Sequence, residues 1–203
     1  MGVYENHILP HVINFCCGLE PVNRQREKLV PLAQGKILEV GMGTGLNMPY
    51  YRRDNVEVIY GLEPNAKSCE MAAARIAEAG LDVDMIGLDG QEIPLDRDSV
   101  DTIVLTYTLC TIPDAMKAVG EMRRVLKPGG RLLFSEHGKA PDATVRKWQD
   151  RINPMWKVIG GGCNLNRDIP DLIRSGGFDI EELDEMYLPG PKVAAYTYWG
   201  AAS

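Results

Sequence analysis

The sequence predicts an α/β protein, a single domain on a doubly wound, seven-stranded sheet, mostly parallel, with an antiparallel final strand. Three observations lead there. From Lys36 onward, short apolar runs rich in β-branched residues alternate with helical stretches, and near-continuous apolar runs mark parallel strands covered on both faces. A glycine cluster comes directly after the first of these runs. The length, 203 residues, suits one domain that buries roughly 70% of its unfolded surface without disulfides or metals.

Residues 36–40 form the first strand and lead into the glycine cluster; residues 56–63 form the second and residues 82–86 a weaker third. Residues 100–107 form the fourth. The fifth, residues 131–136, is announced by the turn Lys127-Pro128-Gly129-Gly130. Residues 179–187 and 193–199 complete the sheet. Pro189-Gly190-Pro191 between them is too short for a crossover helix, so these two run antiparallel. A helix over 65–79 stops at Gly80, the usual place for a left-handed C-terminal glycine. A second runs from Asp114 to Leu126, bounded by Pro113 and Pro128. Residues 1–34 read as a helical N-terminal lid. Residues 141–166 read as an insert, a helix plus a glycine-rich turn, near the acceptor pocket. Both are expected at the carboxyl edge of the sheet, where open α/β sheets bind ligands.

Composition removes several function classes. Lys and Arg number 22 against 28 Asp and Glu, a net charge of −6, and no basic cluster exists to track phosphates, so a nucleic-acid partner is not expected. No segment approaches the ~18 apolar residues of a membrane span. No signal-peptide pattern, myristoylation signal or basic amphipathic helix is apparent. The expectation is a cytoplasmic protein without stable membrane anchoring. Five cysteines, Cys16, Cys17, Cys69, Cys110 and Cys163, show neither C-x-x-C nor paired His spacing, so reduced thiols and no metal are expected.

Glu39-Val40-Gly41-Met42-Gly43-Thr44-Gly45 carries the chain out of the first strand. Alternate glycines permit a tight turn and close backbone approach to a ligand. Their N–H groups, with a helix N-terminus behind them, would favour an anionic group. Glu63 closes the second strand, where an acidic residue can accept both hydroxyls of a ribose. Asp89-Gly90 lies just past the third strand at the same edge. A nicotinamide dinucleotide is disfavoured, because the loop reads G-x-G-x-G and lacks the third glycine of G-x-G-x-x-G.

These residues, with Arg124-Val125-Leu126-Lys127-Pro128-Gly129-Gly130, resemble the motif series of class I S-adenosylmethionine-dependent methyltransferases, strongly over about residues 35–138. The resemblance implies a Rossmann-like fold and S-adenosyl-L-methionine as cofactor. It implies cofactor contacts from Glu39, Gly41, Gly43, Gly45, Asn47, Glu63, Pro64, Asp89, Gly90 and Thr106. Residues 106–110, 135–137 and 153–167 resemble a finer group that includes alkyl thiol methyltransferases, with bacterial phospholipid N-methyltransferases more distant. His137, which follows the fifth strand at the functional edge, and Tyr4, in the N-terminal lid, are the candidate catalytic residues. His7, His11, Tyr107 and Trp156 are the candidate acceptor contacts.

The expected reaction is in-line displacement of methyl from sulfonium by a small-molecule nucleophile. Positioning alone can supply roughly 7–11 kcal/mol of such catalysis. Ionising a thiol of pKa ~8.5 at pH 7 costs about 2 kcal/mol, against about 4.6 for an alkylammonium of pKa ~10.4. A site without a strong base therefore suits a thiol. Phospholipid or amine N-methylation, and a non-catalytic cofactor-binding protein, stay open as alternatives. No protein partner is indicated.

Overall fold

The computed structural model describes residue 2 and residues 4–203. The chain begins with a wide π-type turn over Tyr4–Ile8, then α1 (Leu9–Cys17) and α2 (Glu20–Leu29). The sheet strands are β1 (Gly35–Val40), β2 (Val56–Leu62), β3 (Val83–Ile86), β4 (Val100–Thr106), β5 (Leu126–His137), β6 (Ile180–Tyr187) and β7 (Tyr196–Ala202). Among them lie α3 (Ala66–Ala79), α4 (Ala115–Val125), α5 (Ala143–Ile159), α6 (Ile169–Ser175) and the single turn α7 (Lys192–Ala195).

The strand order is β3-β2-β1-β4-β5-β7-β6, with β1 to β5 parallel and β7 antiparallel to both of its neighbours. The chain winds outward from β1 through β2 to β3, then restarts on the other side with β4. This reversal puts a switch point between β1 and β4, where the crevice beyond the strand ends takes ligands.

Alternation along the strands divides the core. Leu38, Ile103, Leu105, Leu132 and Phe134 pack with Ala118, Val119, Met122 and Val125 of α4 and Ile169 and Ile173 of α6. Ile37, Ile59, Val104 and Leu133 face the other layer, with Leu29 and Val30 at the end of α2 and with Met48 and Tyr51. Here α2 is a structural layer rather than part of a lid.

Several expectations about the elements need correction. The glycine loop is succeeded only by a three-residue 3₁₀ turn, Met48–Tyr50. Tyr51 returns to extended backbone there and packs, with Met48, against Leu29 at the end of α2. The last strand begins at Tyr196, not Val193, because Lys192–Ala195 coils into α7 after Pro191. The fifth begins at Leu126, pairing with β4 on both sides of the Pro128–Gly130 bulge. Helix α6 is not among the sequence expectations, although Asp168 caps it by accepting the Asp171 N–H at 3.3 Å and Pro170 sits in its first turn.

No helix among the described residues is long and apolar enough to cross a membrane. Helix α5, however, is basic and amphipathic, against expectation. Arg146, Lys147, Arg151 and Lys157 accompany the exposed Trp148, Met155, Val158 and Ile159. Alternating short-range polarity in this stretch hides the pattern until the helix fixes which side chains face water.

Candidate active site

The glycine loop is built for close approach. Gly41 and Gly43 take φ of 72° and 57°, the left-handed region that side chains resist. A Cβ on Gly41 would collide with the Thr108 side chain. A Cβ on Gly43 would meet nothing nearer than the Gly41 carbonyl at 4.0 Å. The first glycine is thus required by packing, and the second opens a bare stretch of backbone toward the crevice. A Cβ on Gly45 would come within 3.3 Å of Ala72 of α3.

Glu63 holds that stretch in place. Its Oε2 accepts the Gly43 N–H at 2.9 Å and its Oε1 the Asn65 N–H at 2.8 Å. Burial raises its pKa, and the two backbone N–H groups oppose the rise. Each oxygen retains a lone pair for a ribose hydroxyl. Pro64 is exposed beside it. Asp89 is half-buried and its carboxylate accepts from both the backbone and the side chain of Gln91. Gly90, at φ 83°, abuts Val40 at the end of β1.

Beneath the loop runs a buried polar chain. Asn47 donates to Glu39 Oε1 at 2.9 Å and to Thr106 Oγ1 at 3.0 Å, while its own Oδ1 accepts from Arg26 Nε at 2.9 Å. Tyr51 donates to Glu39 Oε2 at 2.7 Å. Burial lifts the Glu39 carboxyl from 4.5 to about 7, against the hydrogen bonds from Tyr51 and Asn47 and the charge of Arg26. Glu39 therefore fixes Asn47 and the loop from below. Arg26 and Tyr51 are not among the sequence-derived candidates. Arg26 lies in a stretch of alternating charge that reads as a solvated helix, and only the packing of α2 buries it. A weak signal for Tyr51 exists in the adjacent tyrosines, Tyr50 and Tyr51.

The second half of the site gathers around the end of β5. Glu136 is fully buried and accepts the N–H groups of Thr108, Leu109 and Cys110 at 2.5, 3.0 and 3.4 Å. It clamps the loop after β4 much as a cap clamps a helix start. Tyr107, at φ 55°, leads into that loop; its ring lies nearly parallel to His137 with centroids 6.4 Å apart. Burial pushes the Tyr107 phenol up to about 12. His137 Nε2 lies 3.1 Å from Cys163 Sγ, and Trp156 Nε1 donates to the same sulfur at 3.3 Å. Burial alone would lower the His137 pKa; the bond to Cys163 and the Glu136 charge outweigh it, and the net shift is upward.

Two buried amides bring the insert here. Gln149 of α5 accepts from Ala140 N–H and donates to the Gly138, Leu165 and Val193 carbonyls, at 2.9–3.1 Å. Asn164 donates to the Cys110 carbonyl through both its backbone and its side chain, at 2.9 Å each. Neither residue, nor Glu136, is among the sequence-derived candidates.

The N-terminal segment crosses the loop from above. Thr44 donates to Asn14 of α1 at 2.7 Å, and Asn65 donates to the Glu5 carbonyl at 3.2 Å. Tyr4 donates to the Ile159 carbonyl at 2.7 Å, tying this segment to the insert. The Tyr4 hydroxyl is thus engaged as a tie at the rim. His7 and His11 are exposed, and His7 sits in the π-type turn rather than on α1. The hollow lined by Gln34, Gly35, Asn55 and Asp101 lies at the opposite edge of the sheet, and its one acidic group is already paired with Lys127 at 2.7 Å.

The cradle at Gly43, the doubly seated Glu63 and the acidic Asp89 fit a nucleoside carrying an amino-acid tail, laid across the ends of β3, β2 and β1. A methyltransferase-domain family matches residues 38–134, the segment that supplies all these groups. The chain belongs to the S-adenosylmethionine-dependent methyltransferases. Its similarity to human thiol S-methyltransferase TMT1B is 35% identity over 142 residues, 67% of this chain and 57% of that one. For the Rattus norvegicus protein of the same name, the values are 31% over 150 residues, 73% and 62%. A phosphatidylethanolamine N-methyltransferase of Cereibacter sphaeroides is 30% identical over 118 residues, covering 56% of this chain and 57% of that one. The chain thus spans about three-fifths of the length of these relatives. In fold it resembles a Leishmania major SAM-dependent methyltransferase, with TM-score 0.72 and 18% identity over 98% of this chain and 80% of that one. It also resembles the [4+2]-cyclase SpnF, with TM-score 0.69 and 22% identity over 90% and 79%. The second likeness shows that this fold alone does not name a reaction.

Proposed function

We propose that this methyltransferase transfers the methyl group of S-adenosylmethionine to a small-molecule thiol. The cofactor, when bound, supplies an electrophilic methyl on a sulfonium. Gly41, Gly43, Gly45 and Asn47 would hold its methionine part, with Glu39 setting Asn47 and Thr106 from below. Glu63, flanked by Pro64, would hold the ribose, and Asp89 with Gly90 the adenine. That assignment runs across the sheet from β3 to β1, so the reacting carbon faces the ends of β4 and β5. Tyr107, His137 and Trp156 stand on that acceptor side.

One observation carries the thiol. The carboxylate nearest the acceptor side, Glu136, is committed to three backbone N–H groups, which leaves His137 among sulfur and aromatic side chains. Such a site can meet the roughly 2 kcal/mol of thiol ionisation but is poorly equipped for the roughly 4.6 of an alkylammonium. The similarity to thiol S-methyltransferases supports the same reading. A second reading, phospholipid N-methylation, draws on the exposed apolar rim of Ile8, Val12, Phe15 and Leu19 with Met155, Val158 and Ile159, and on the bacterial relative. A screen of alkyl thiols, amines, phenols and phosphatidylethanolamine vesicles, with S-adenosylhomocysteine and methylated product both quantified, separates the two. Thioether product is expected. Transfer to the vesicles with none to any thiol would reject the thiol and establish the second reading.

A further inference from the structure

Cys110, His137 and Cys163 are far apart along the chain, yet their ligand atoms all lie within 4.8 Å of one another. Three independent devices hold them together. Glu136 fixes the backbone of Cys110, β5 ends on His137, and Asn164 pins the loop of Cys163 to the Cys110 carbonyl. A tetrahedral zinc with Zn–S of about 2.3 Å and Zn–N of about 2.0 Å wants its ligand atoms roughly 3.5–3.8 Å apart. The cluster is within about an ångström of that arrangement.

The surroundings suit a cation. Trp156 Nε1–H already donates to Cys163 Sγ, the kind of outer hydrogen bond that orients a thiolate ligand. Among the described residues His137 Nδ1 is buried without a partner, an orphan of the sort that marks functional sites. Among the described residues only Cys163 Sγ, at 3.1 Å from Nε2, bonds the ring, so Nε2 can present a lone pair to the cluster. Cys110 is buried, while His137 and Cys163 are half-buried, so the cluster opens on one side. Two sulfurs and one imidazole select a thiophilic ion over magnesium or calcium. Three protein ligands with one open position are the pattern of a reactive zinc site, not a structural one.

We propose that Cys110, His137 and Cys163 form a site for Zn²⁺ whose fourth position takes the sulfur of the methyl acceptor. The proposal rests on the thiol reading above. As the acceptor sulfur binds the cation, its S–H proton leaves to solvent, since a coordinated thiol is deprotonated. The acceptor sulfur then uses a lone pair to form the new C–S bond. The methyl–sulfonium bond breaks with its electron pair going to the departing sulfur, leaving a thioether and S-adenosylhomocysteine.

The test uses the whole chain, reduced, stripped by chelation and titrated with Co²⁺ and then Zn²⁺. Reduced protein should show thiolate-to-cobalt charge-transfer absorption that saturates near equimolar metal and is displaced by zinc. Cys110→Ser, Cys163→Ser and His137→Gln should each lose it, Trp156→Phe should weaken zinc binding about 10–100-fold, and Cys16→Ser, at an exposed thiol, should change nothing. Calorimetry with S-adenosylmethionine confirms that each variant is folded. No charge-transfer band in reduced protein, or a band that survives in the Cys110→Ser/Cys163→Ser double variant, overturns the site. Thiol turnover that is unchanged after chelation overturns the role given to the cation. A site that binds zinc while no thiol is methylated would leave the metal site standing and reject the acceptor.

Discussion

The proposed cofactor edge and the proposed acceptor side of this site are assembled differently. The cofactor edge comes from consecutive strand ends. Gly41–Gly45 lies past β1, Glu63 past β2 and Asp89 past β3, each at the point where a parallel strand must stop. The acceptor side is collected from the loop after β4, the tip of β5, the insert over residues 141–166, and the N-terminus. The first is specified by rhythm along the chain; the second depends on buried polar pins, Glu136, Gln149 and Asn164, which have no rhythm. A reaction type can therefore be stable in a fold while the acceptor changes, since the two halves share little beyond the Asn47–Thr106–Tyr107 stretch.

Breaking the support of the cofactor edge should give the largest effect. Glu39 is fully buried and its carboxyl is raised from 4.5 to about 7. A carboxyl whose pKa rises on folding binds more protons in the native state between those values, so its contribution to stability is complete below about 4.5 and declines as pH rises through 7. The shift of about 2.5 units corresponds to about 3 kcal/mol. Glu63 and Glu136 are also raised by burial, so the slope of the wild type alone does not isolate Glu39. Glutamine mimics its neutral form. Glu39→Gln should remove about 3 kcal/mol of the wild-type decline between pH 4.5 and 8, read by urea unfolding at several pH values. Parallel stability–pH curves for the two proteins would show that Glu39 is not held neutral by its burial.

The same contrast explains what sequence can and cannot disclose. Strand spacing and the glycine turn deliver the sheet and Glu63, because near-continuous apolar runs and backbone handedness act locally. Glu39 is reached through the motif resemblance, but its role beneath Asn47 is not. The helix expected behind the loop stops after one 3₁₀ turn because Tyr51 returns to extended backbone and packs, with Met48, against the end of α2. Arg26 escapes notice because charge along α2 looks solvated until the helix is docked. Cys110 and Cys163 read as separate small hydrophobes, since no short spacing links residues brought together by tertiary contacts alone.

A moderate effect is expected from Gly43→Val. Its backbone stays in the left-handed region, where a β-branched residue costs about 1–3 kcal/mol, and the side chain enters the open space over the cradle. Affinity for S-adenosylmethionine should fall by at least tenfold, measured by calorimetry, while affinity for metal at the acceptor side is untouched. Wild-type affinity in this variant would move the cofactor away from the loop and weaken the contrast drawn between the two halves.

The smallest effect should come from Tyr4, the residue that links them. Its hydroxyl donates to the Ile159 carbonyl at 2.7 Å, joining the segment over the glycine loop to the helix that carries Trp156. One such bond near solvent contributes about 0.5–1.5 kcal/mol. Tyr4→Phe should accordingly raise the acceptor KM about two- to tenfold through a looser rim, with kcat and the pH profile nearly unchanged and the affinity for S-adenosylmethionine within a factor of about three. A general acid or base behaves differently. Its removal costs about 10²–10⁴ in rate, lowers kcat more than it raises KM, and erases one limb of the pH profile. The geometry favours the tie, because a hydroxyl donating to a backbone carbonyl at the rim has its proton committed away from the reacting atoms. A hundredfold loss of kcat in Tyr4→Phe, with an altered pH profile, would place Tyr4 in the chemistry after all and require the N-terminal turn to rearrange when acceptor binds.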